Sequence, residues 1–337
     1  MGNFATYLAK ATMGEFSDLT KKQFTHLSEM ISPVAAQLFI QEDLTSYPND
    51  RKRYDEVDTE TFAKLKRESE NSPKARGAIG YNKTMIAKRY AMEINVSWEF
   101  RRYGEAYASK VKADLMSLSN FIPQRRELDL SHVLTFATAT SYTNMDGETV
   151  DGSVGDELAV LSAVHTLAHS TETYTNIISG NPAFSQGGLE VARNLYNTNI
   201  LSNFGERRVM VPNTIVTGDD ETTVNSVRQL LKSTADLAAP NAGVTNEQKG
   251  RYKHVVLPYL ATTSTGAHDS TKKRWWFLAC TGKGQMGWQA YYGIFENMNL
   301  KTPDQNASND DWTYGVRGSH SIAVVSPKGI VGSTPTS

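Results

Sequence analysis

Apolar residues between Trp98 and Asn144 form one helical stripe. Tyr103, Tyr107, Val111, Leu115, Leu118 and Ile122 are spaced four, four, four, three and four. That spacing lines one side of a helix and leaves Arg101, Arg102, Glu105, Lys110, Lys112 and Asp114 mostly on wetter faces. Pro123 predicts an interruption, since proline lacks an amide donor and restricts the residue before it. A second helical segment with Leu128, Val133, Leu134, Phe136 and Ala137 follows, closing in the turn-forming Asn144, Met145, Asp146 and Gly147. At roughly 1.5 Å per residue, such a run makes a spine.

Alternation marks strands on either side. Over residues 86–96, Ile86, Tyr90, Met92, Ile94 and Val96 share one face, and Ala87, Arg89, Glu93 and Asn95 the other. Residues 312–324 alternate throughout: Trp312, Tyr314, Val316, His320, Ile322 and Val324 oppose Thr313, Arg317, Ser319 and Ser321. Between these, helices are expected at 186–196 and 219–232, the latter with an acidic first turn and a basic last turn. Strands are expected at 207–212, 252–260, 274–280 and 288–295, and a loop-rich stretch at 146–182. Residues 1–30 predict an arm with one weak helix near 19–30, followed by a short apolar segment at 33–40.

Residues 49–76 are mostly charged, with mixed signs. Such a segment has no core of its own and is either solvated or pressed against another subunit. It predicts a weak helix near 59–68 at the tip of a projecting, hairpin-like loop. Its cations Arg51, Lys52, Arg53, Lys64, Lys66 and Arg67 are the candidate subunit-interface residues.

The chain has 337 residues, enough for more than one lobe. Its 39% hydrophobic and 21% charged residues are those of a soluble globular protein. A net charge of -1 excludes a globally basic, nucleic-acid-reading surface. No window approaches a membrane span, and the start lacks a leader-like apolar run, so a cytosolic site of synthesis is expected. Cys280 is the single cysteine, which excludes an intramolecular disulfide and a cysteine-based zinc cluster. It ends the apolar run Trp275, Trp276, Phe277, Leu278, Ala279, where burial disfavours a thiolate.

The motifs carry no chemistry. Residues 282–287 spell GKGQMG, matching a dinucleotide-binding fingerprint, but Trp288, Gln289, Ala290, Tyr291 and Tyr292 continue as strand where a helix is required; a hairpin turn is expected. His165 and His169 have the spacing of zinc ligands, yet Thr166 occupies the position of the catalytic glutamate and a third ligand is lacking, so surface or loop histidines are expected. Asp219, Asp220 and Glu221 suit a helix start. Asn82, Asn95 and Asn306 fit the glycosylation pattern, without a leader to make use of it. On residues alone this is a soluble mixed α/β protein with no catalytic constellation, no cofactor and no metal.

The order of parts adds to this. An arm, a charged loop returning as a strand, a Pro-interrupted spine, an inserted lobe and a long alternating C-terminal strand resemble the major capsid proteins of tailed bacteriophages, the Hong Kong phage type of shell fold. Within that group the chain is similar to the Mu-like major head subunit family. The residues carrying this are Ala91, Met92, Glu93, Ile94, Asn95, Val96 and Ser97 before the spine, and Ile122, Pro123, Gln124, Arg125, Arg126, Glu127 and Leu128 at the break. Asp146 and Gly147 with Leu161, Ser162, Ala163, Val164 and His165, and the ending from Trp312, Thr313, Tyr314, Gly315, Val316 and Arg317 to Gly329 and Ile330, complete it.

The resemblance implies an α+β fold. Its parts would be an N-terminal arm (1–41), an extended E-loop (42–97), a P-domain with the spine helix (98–205), an axial A-domain (206–300) and a C-terminal return strand of the P-domain (301–337). It implies a structural subunit, not an enzyme, assembling through hexamers and pentamers into an icosahedral head. That head would enclose double-stranded DNA without sequence-specific binding or a membrane. Portal, scaffold or decoration proteins are the further partners implied. A nanocompartment shell of the same fold and a small-ligand enzyme using the inserted lobe are the alternatives. Near-neutral charge suits a subunit packed among many copies of itself.

Overall fold

A computed structural model describes residues 33–103, 107–235, 245–282, 287–302, 304–305 and 307–336, together with Lys21 and Phe24. The arm helix expected near 19–30 and most of the GKGQMG segment lie outside the described residues.

The spine comprises two helices, α1 (Trp98–Tyr103) and the 29-residue α2 (Tyr107–Thr135). At 1.5 Å per residue α2 is about 43 Å long. Val111, Leu115, Leu118 and Ile122 are buried against Val96, Trp312, Tyr314 and Val316. Further along, Leu130 and Leu134 enter a second core with Val216, Leu260 and Phe277. Contrary to the expected break, α2 runs through Pro123. Proline there deletes one hydrogen bond, to the carbonyl of Ser119, but its ring is buried beside Ile122 in the seam. Packing on both sides of it outweighs a penalty of about 3 kcal/mol.

Sheet one has five strands: β1 (Ile40–Asp43), β4 (Lys88–Val96), β12 (Gln289–Leu300), β13 (Asp304–Gln305) and β14 (Trp312–Ser326). The long β14 is its axis, antiparallel to β12 along one part and to β4 along another, while β1 lies parallel to β12. Gly318 lets the spine come close, since a Cβ there would lie 3.2 Å from Ile122. Alternation misread three positions: Ser319, Met92 and Ile86, the last being exposed and belonging to β3 (Gly77–Ile86) outside this sheet. Ser319 is buried and donates to the Lys88 carbonyl at 2.9 Å, because strands flank β14 on both sides. Met92 is exposed.

Sheet two is β10 (Lys253–Val256), β9 (Thr214–Thr217), β11 (Trp276–Ala279) and β15 (Ile330–Ser333), in that order. All of β9, β11 and β15 is buried because both faces are covered. Ile215, Trp276, Leu278 and Val331 face α3 (Gln186–Asn199) and α4 (Glu221–Lys232), while Val216, Phe277, Ala279 and Ile330 face the core shared with the spine. Ser185 caps α3 through the Gly188 amide, and Asp220 caps α4 through the Thr223 amide, each at 3.1 Å.

Several expectations are corrected. Residues 207–212 are not a strand in the sheet: Val209 and Val211 are largely exposed and the buried strand is β9. The link across residues 282–287 does not make a hairpin, because β11 and β12 lie in different sheets, although the Trp288 amide does close onto the Cys280 carbonyl at 2.9 Å. The stretch 146–182 holds short strands β6 (Thr149–Asp151), β7 (His165–Leu167) and β8 (Ser170–Tyr174), with β6 paired to β5 (Ser141–Thr143). Residues 59–68 form no helix; they leave the end of β2 (Arg51–Thr59), which pairs with β3 (Gly77–Ile86). Alternating Tyr54, Glu56 and Asp58 against Val57 and Thr59 follows the strand period, which the local charge density hid.

Candidate assembly surface

The β2–β3 hairpin has inverted polarity. Along β2 the inward side chains are Tyr54, Glu56 and Asp58, and the outward ones include Arg53, Asp55 and Val57. Outside, Val57 sits opposite Ile79 on β3, and both are exposed. Beyond them the tip, residues 60–76, presents Phe62 and Leu65, 63% and 86% exposed. Inside, two buried carboxylates require partners, since an unpaired buried charge is costly.

Those partners come from distant segments. Asp58 pairs with Arg208 and accepts the Asn203 amide at 2.7 Å. Glu56 receives Lys328 Nζ at 2.9 Å, and Lys328 also donates to Asn203 Oδ1 at 2.7 Å. Tyr54 stacks on Tyr291 of β12, ring centroids 4.1 Å apart, and donates to Glu42 at 2.7 Å. The base of the loop is thus fixed to its own subunit, which corrects the expectation that the whole segment is either solvated or pressed against another subunit. The tip is tethered at its two ends, where the Thr61 amide donates to Glu206 and Arg76 lies over the Phe204 ring, and Phe62, Leu65, Lys66 and Arg67 stand exposed between them.

The six candidate cations fall into separate groups. Arg51 and Arg53 lie on β2 and pair with the adjacent Asp50 and Asp55, at 3.8 and 2.7 Å. Lys52 turns inward, paired with Glu42 and 5.0 Å from the centre of the Tyr54 ring, so it is not a free surface cation. At the tip Lys64 pairs with Glu60 at 2.9 Å, and Arg76 holds the same carboxylate at 2.6 Å. Hydrogen bonds from Arg76 and Lys64 lower the Glu60 pKa to about 2, so the neck of the tip stays clamped at neutral pH. Lys66 and Arg67 are exposed and make no ion pair with any described residue.

One of the two histidines supports this hairpin. His165 is fully buried on β7, its Nδ1 2.8 Å from Asp156 and its ring stacked on Tyr174; the expected surface or loop position is corrected. His169, beyond β7, donates a ring N–H to the Ile79 carbonyl at 3.0 Å and so holds β3. Among the described residues no His, Cys, Asp and Glu group could hold a metal ion. Cys280 is half-buried and burial pushes its thiol up, away from reactivity.

A second feature lies where the hairpin joins the spine. The β5–β6 flap bears Asp146, Glu148 and Asp151, which pair with Arg125 on α2, Lys88 on β4 and Lys83 on β3 at 2.7, 3.2 and 2.6 Å. Beneath it is a cavity of about 290 Å³ walled by Tyr90, His132, Phe136 and His320. Burial lowers the His132 pKa to about 4, with Asp129 opposing and Lys272 and Arg125 adding to the shift. Neutral, it bonds Thr262 at 3.3 Å and packs edge-on to Phe136 and Tyr142. No helix among the described residues is long and apolar enough to cross a membrane.

This α+β arrangement of hairpin, spine helix and paired sheets is a phage-capsid fold. Comparison by sequence matches no family model and no curated protein. Comparison of structures finds a chain of the capsid of Ralstonia phage GP4 at TM-score 0.52 and 10% identity, over 89% of this chain and 88% of that one. A chain of the capsid of a native GTA particle matches at TM-score 0.51 and 10% identity, over 89% of each. A capsid chain of the cyanophage P-SCSP1u matches at TM-score 0.51 and 8% identity, over 91% of this chain and 89% of that one.

Proposed function

We propose that this chain is the structural subunit of a phage-type head, not an enzyme, and that it assembles through hexamers and pentamers into an icosahedral shell around double-stranded DNA. The observation that carries the reading is a fold shared with capsid chains over nine-tenths of both partners, not over one domain. The hairpin supports it. Its base is locked by buried ion pairs, while its tip holds Phe62, Leu65, Lys66 and Arg67 out in water. Exposed apolar side chains on a rigid projection fit a surface made to be covered by a neighbour.

In this reading residues 42–97 are the E-loop, laid across the next subunit, residues 98–205 hold the spine, and residues 206–300 gather around the five-fold and quasi-six-fold axes. The arm (1–41) and the C-terminal segment (301–337) complete the subunit. Two strands cross these boundaries: β12 belongs to sheet one, and β15 closes sheet two. Kinship with the Mu-like head subunits rests on the short segments around Ala91 and Ile122 and is part of the proposal. Portal, scaffold and decoration proteins are the partners it implies, with DNA enclosed rather than read. Many weak contacts suffice, because each bound neighbour raises the effective concentration of the next. Negative-stain microscopy of the purified chain tests the reading: closed shells or rings of five and six support it.

A further inference from the structure

The cleft beneath the β5–β6 flap has no part in the assembly reading. It opens between β3, β4, α2, β14 and the flap and measures about 290 Å³. Close-packed interiors rarely leave a gap larger than a water molecule, so a void of this size is a feature of the fold. Its apolar lining includes Val133, Phe136, Tyr142, Val150 and Ile322, all half-buried. Water therefore meets apolar side chains inside a concave wall, and covering them is favourable. Rings dominate that wall. Phe136 and Tyr142 stack at 4.2 Å, His132 stands edge-on to both, and Tyr90 stacks on His320 at 4.6 Å.

Each charged residue on this lining already has a partner. Lys83 holds Asp151 at 2.6 Å and also donates to Ser153 at 2.8 Å, and Lys88 holds Glu148 at 3.2 Å. Asp129 accepts from Arg125 and from His320, each at 3.0 Å. His132 is kept neutral by burial. A charged ligand would have to break one of these pairs, whereas a neutral one leaves all of them intact. Thr84, Thr149 and Ser321 add hydroxyl groups, each able to donate or accept one hydrogen bond from such a ligand.

We infer that this cleft binds a neutral aromatic molecule of two or three rings, with the β5–β6 flap as its roof. The volume lies at the lower end of small-molecule sites, roughly 300–1,000 Å³. Aromatic walls favour a flat ring over an acyl chain, because stacked and edge-to-face contacts add to the area buried. The roof is built before a ligand arrives. Asn144 fixes its turn by accepting the Asp146 and Glu148 amides at 3.0 and 2.9 Å, and the three ion pairs tie it to α2, β4 and β3. A site already ordered costs less to occupy. The inference does not depend on shell assembly.

The test is a fluorescence titration of the purified, folded full chain with N-phenyl-1-naphthylamine, a neutral aromatic probe that brightens in apolar surroundings. A single saturable site per chain is expected. Ile322→Trp fills the cleft from β14, and Thr84→Trp fills it from an exposed position on β3 that spares the core. Each should weaken binding by about tenfold or more while circular dichroism shows an intact fold. Leu65→Ser, at the exposed hairpin tip, should leave binding unchanged. The sulfonated, anionic analogue of the probe should bind about tenfold more weakly. Absence of saturable binding would overturn the inference. So would binding that Leu65→Ser reduces and the two tryptophan variants do not, or equal binding of the anionic analogue. Binding that falls as chain concentration rises would make the occupant a second copy of the chain, and would overturn it too.

Discussion

His320 of β14 grips Asp129 of the spine helix, Nε2 to Oδ2 at 3.0 Å, and joins sheet one to α2 beneath the apolar seam. Burial opposes ionisation of Asp129, but the His320 hydrogen bond and the nearby charges of His320 and Arg125 outweigh it and hold its pKa below the ordinary value. Burial pushes His320 down, with Asp129 opposing and Arg126 and Arg125 adding to the effect. Tyr90 stacks on the same imidazole at 4.6 Å, and the Arg125 guanidinium lies 4.6 Å from the centre of the Tyr90 ring.

This junction should loosen in acid. His132, under the same flap, is depressed from 6.5 to about 4. Its unfolded form takes up a proton first, so the stability it contributes is complete above pH 6.5 and is lost as pH falls towards 4. At about 1.4 kcal/mol per pKa unit, the loss is on the order of 3 kcal/mol, with His320 adding in the same direction. Thermal unfolding midpoints should drop across that window, and His132→Gln should flatten the drop. An unchanged slope in the variant would show that other groups carry it.

The ion pair between Asp58 and Arg208 should behave as a buried pair. Asp58→Ala leaves Arg208 uncompensated and should cost about 3–5 kcal/mol, and Arg208→Met should cost similarly. Asp58→Ala combined with Arg208→Met should cost well under the sum of the two single losses, because no charge is then left buried alone. Denaturant melts of the four proteins measure this; additive losses would mean that the two residues are not coupled.

In the spine seam, Leu118→Ala removes a fully buried side chain and should destabilise the subunit by about 2–5 kcal/mol. Pro123→Ala should cost far less, or stabilise, because it restores an amide donor for the Ser119 carbonyl in a helix that is already continuous. A loss at Pro123 equal to that at Leu118 would mean that the proline ring itself positions the helix.

The helix stripe and the long alternating strand were legible because Val111, Leu115, Leu118 and Ile122, and Trp312, Tyr314 and Val316, repeat at the period of their element. Pro123 misled because local propensity yields to packing on both sides of it. The hairpin base was illegible. Glu56, Asp58, Asn203, Arg208 and Lys328 look like surface residues one at a time, and only the fold brings them together. Val209 and Val211 alternate like a strand but have no described strand beside them. Of the six candidate cations, Lys66 and Arg67 are exposed at the tip, while Lys52 is turned inward by Glu42.

For the tip, charge pairs at a wet surface are worth about 0–1 kcal/mol each, so single changes at Lys64, Lys66 or Arg67 should leave assembly intact. Reversing all three together should weaken it while circular dichroism shows unchanged helix content. Added salt should act in the same direction, since exposed pairs are screened beyond about 10 Å at 0.1 M. Trypsin should cut at Lys64, Lys66 and Arg67 in free subunits and be blocked in particles. Equal cutting in both states would mean that the tip remains in water after assembly.

The central claim is that this chain builds a closed container from copies of itself, and electron microscopy of the purified protein, with sedimentation velocity on the same sample, tests it most directly. The account predicts rings of five and six subunits or closed isometric shells, sedimenting far ahead of a single 37.3 kDa chain. A folded protein that stays monomeric across concentration and salt, with no rings or shells in any field, would contradict it.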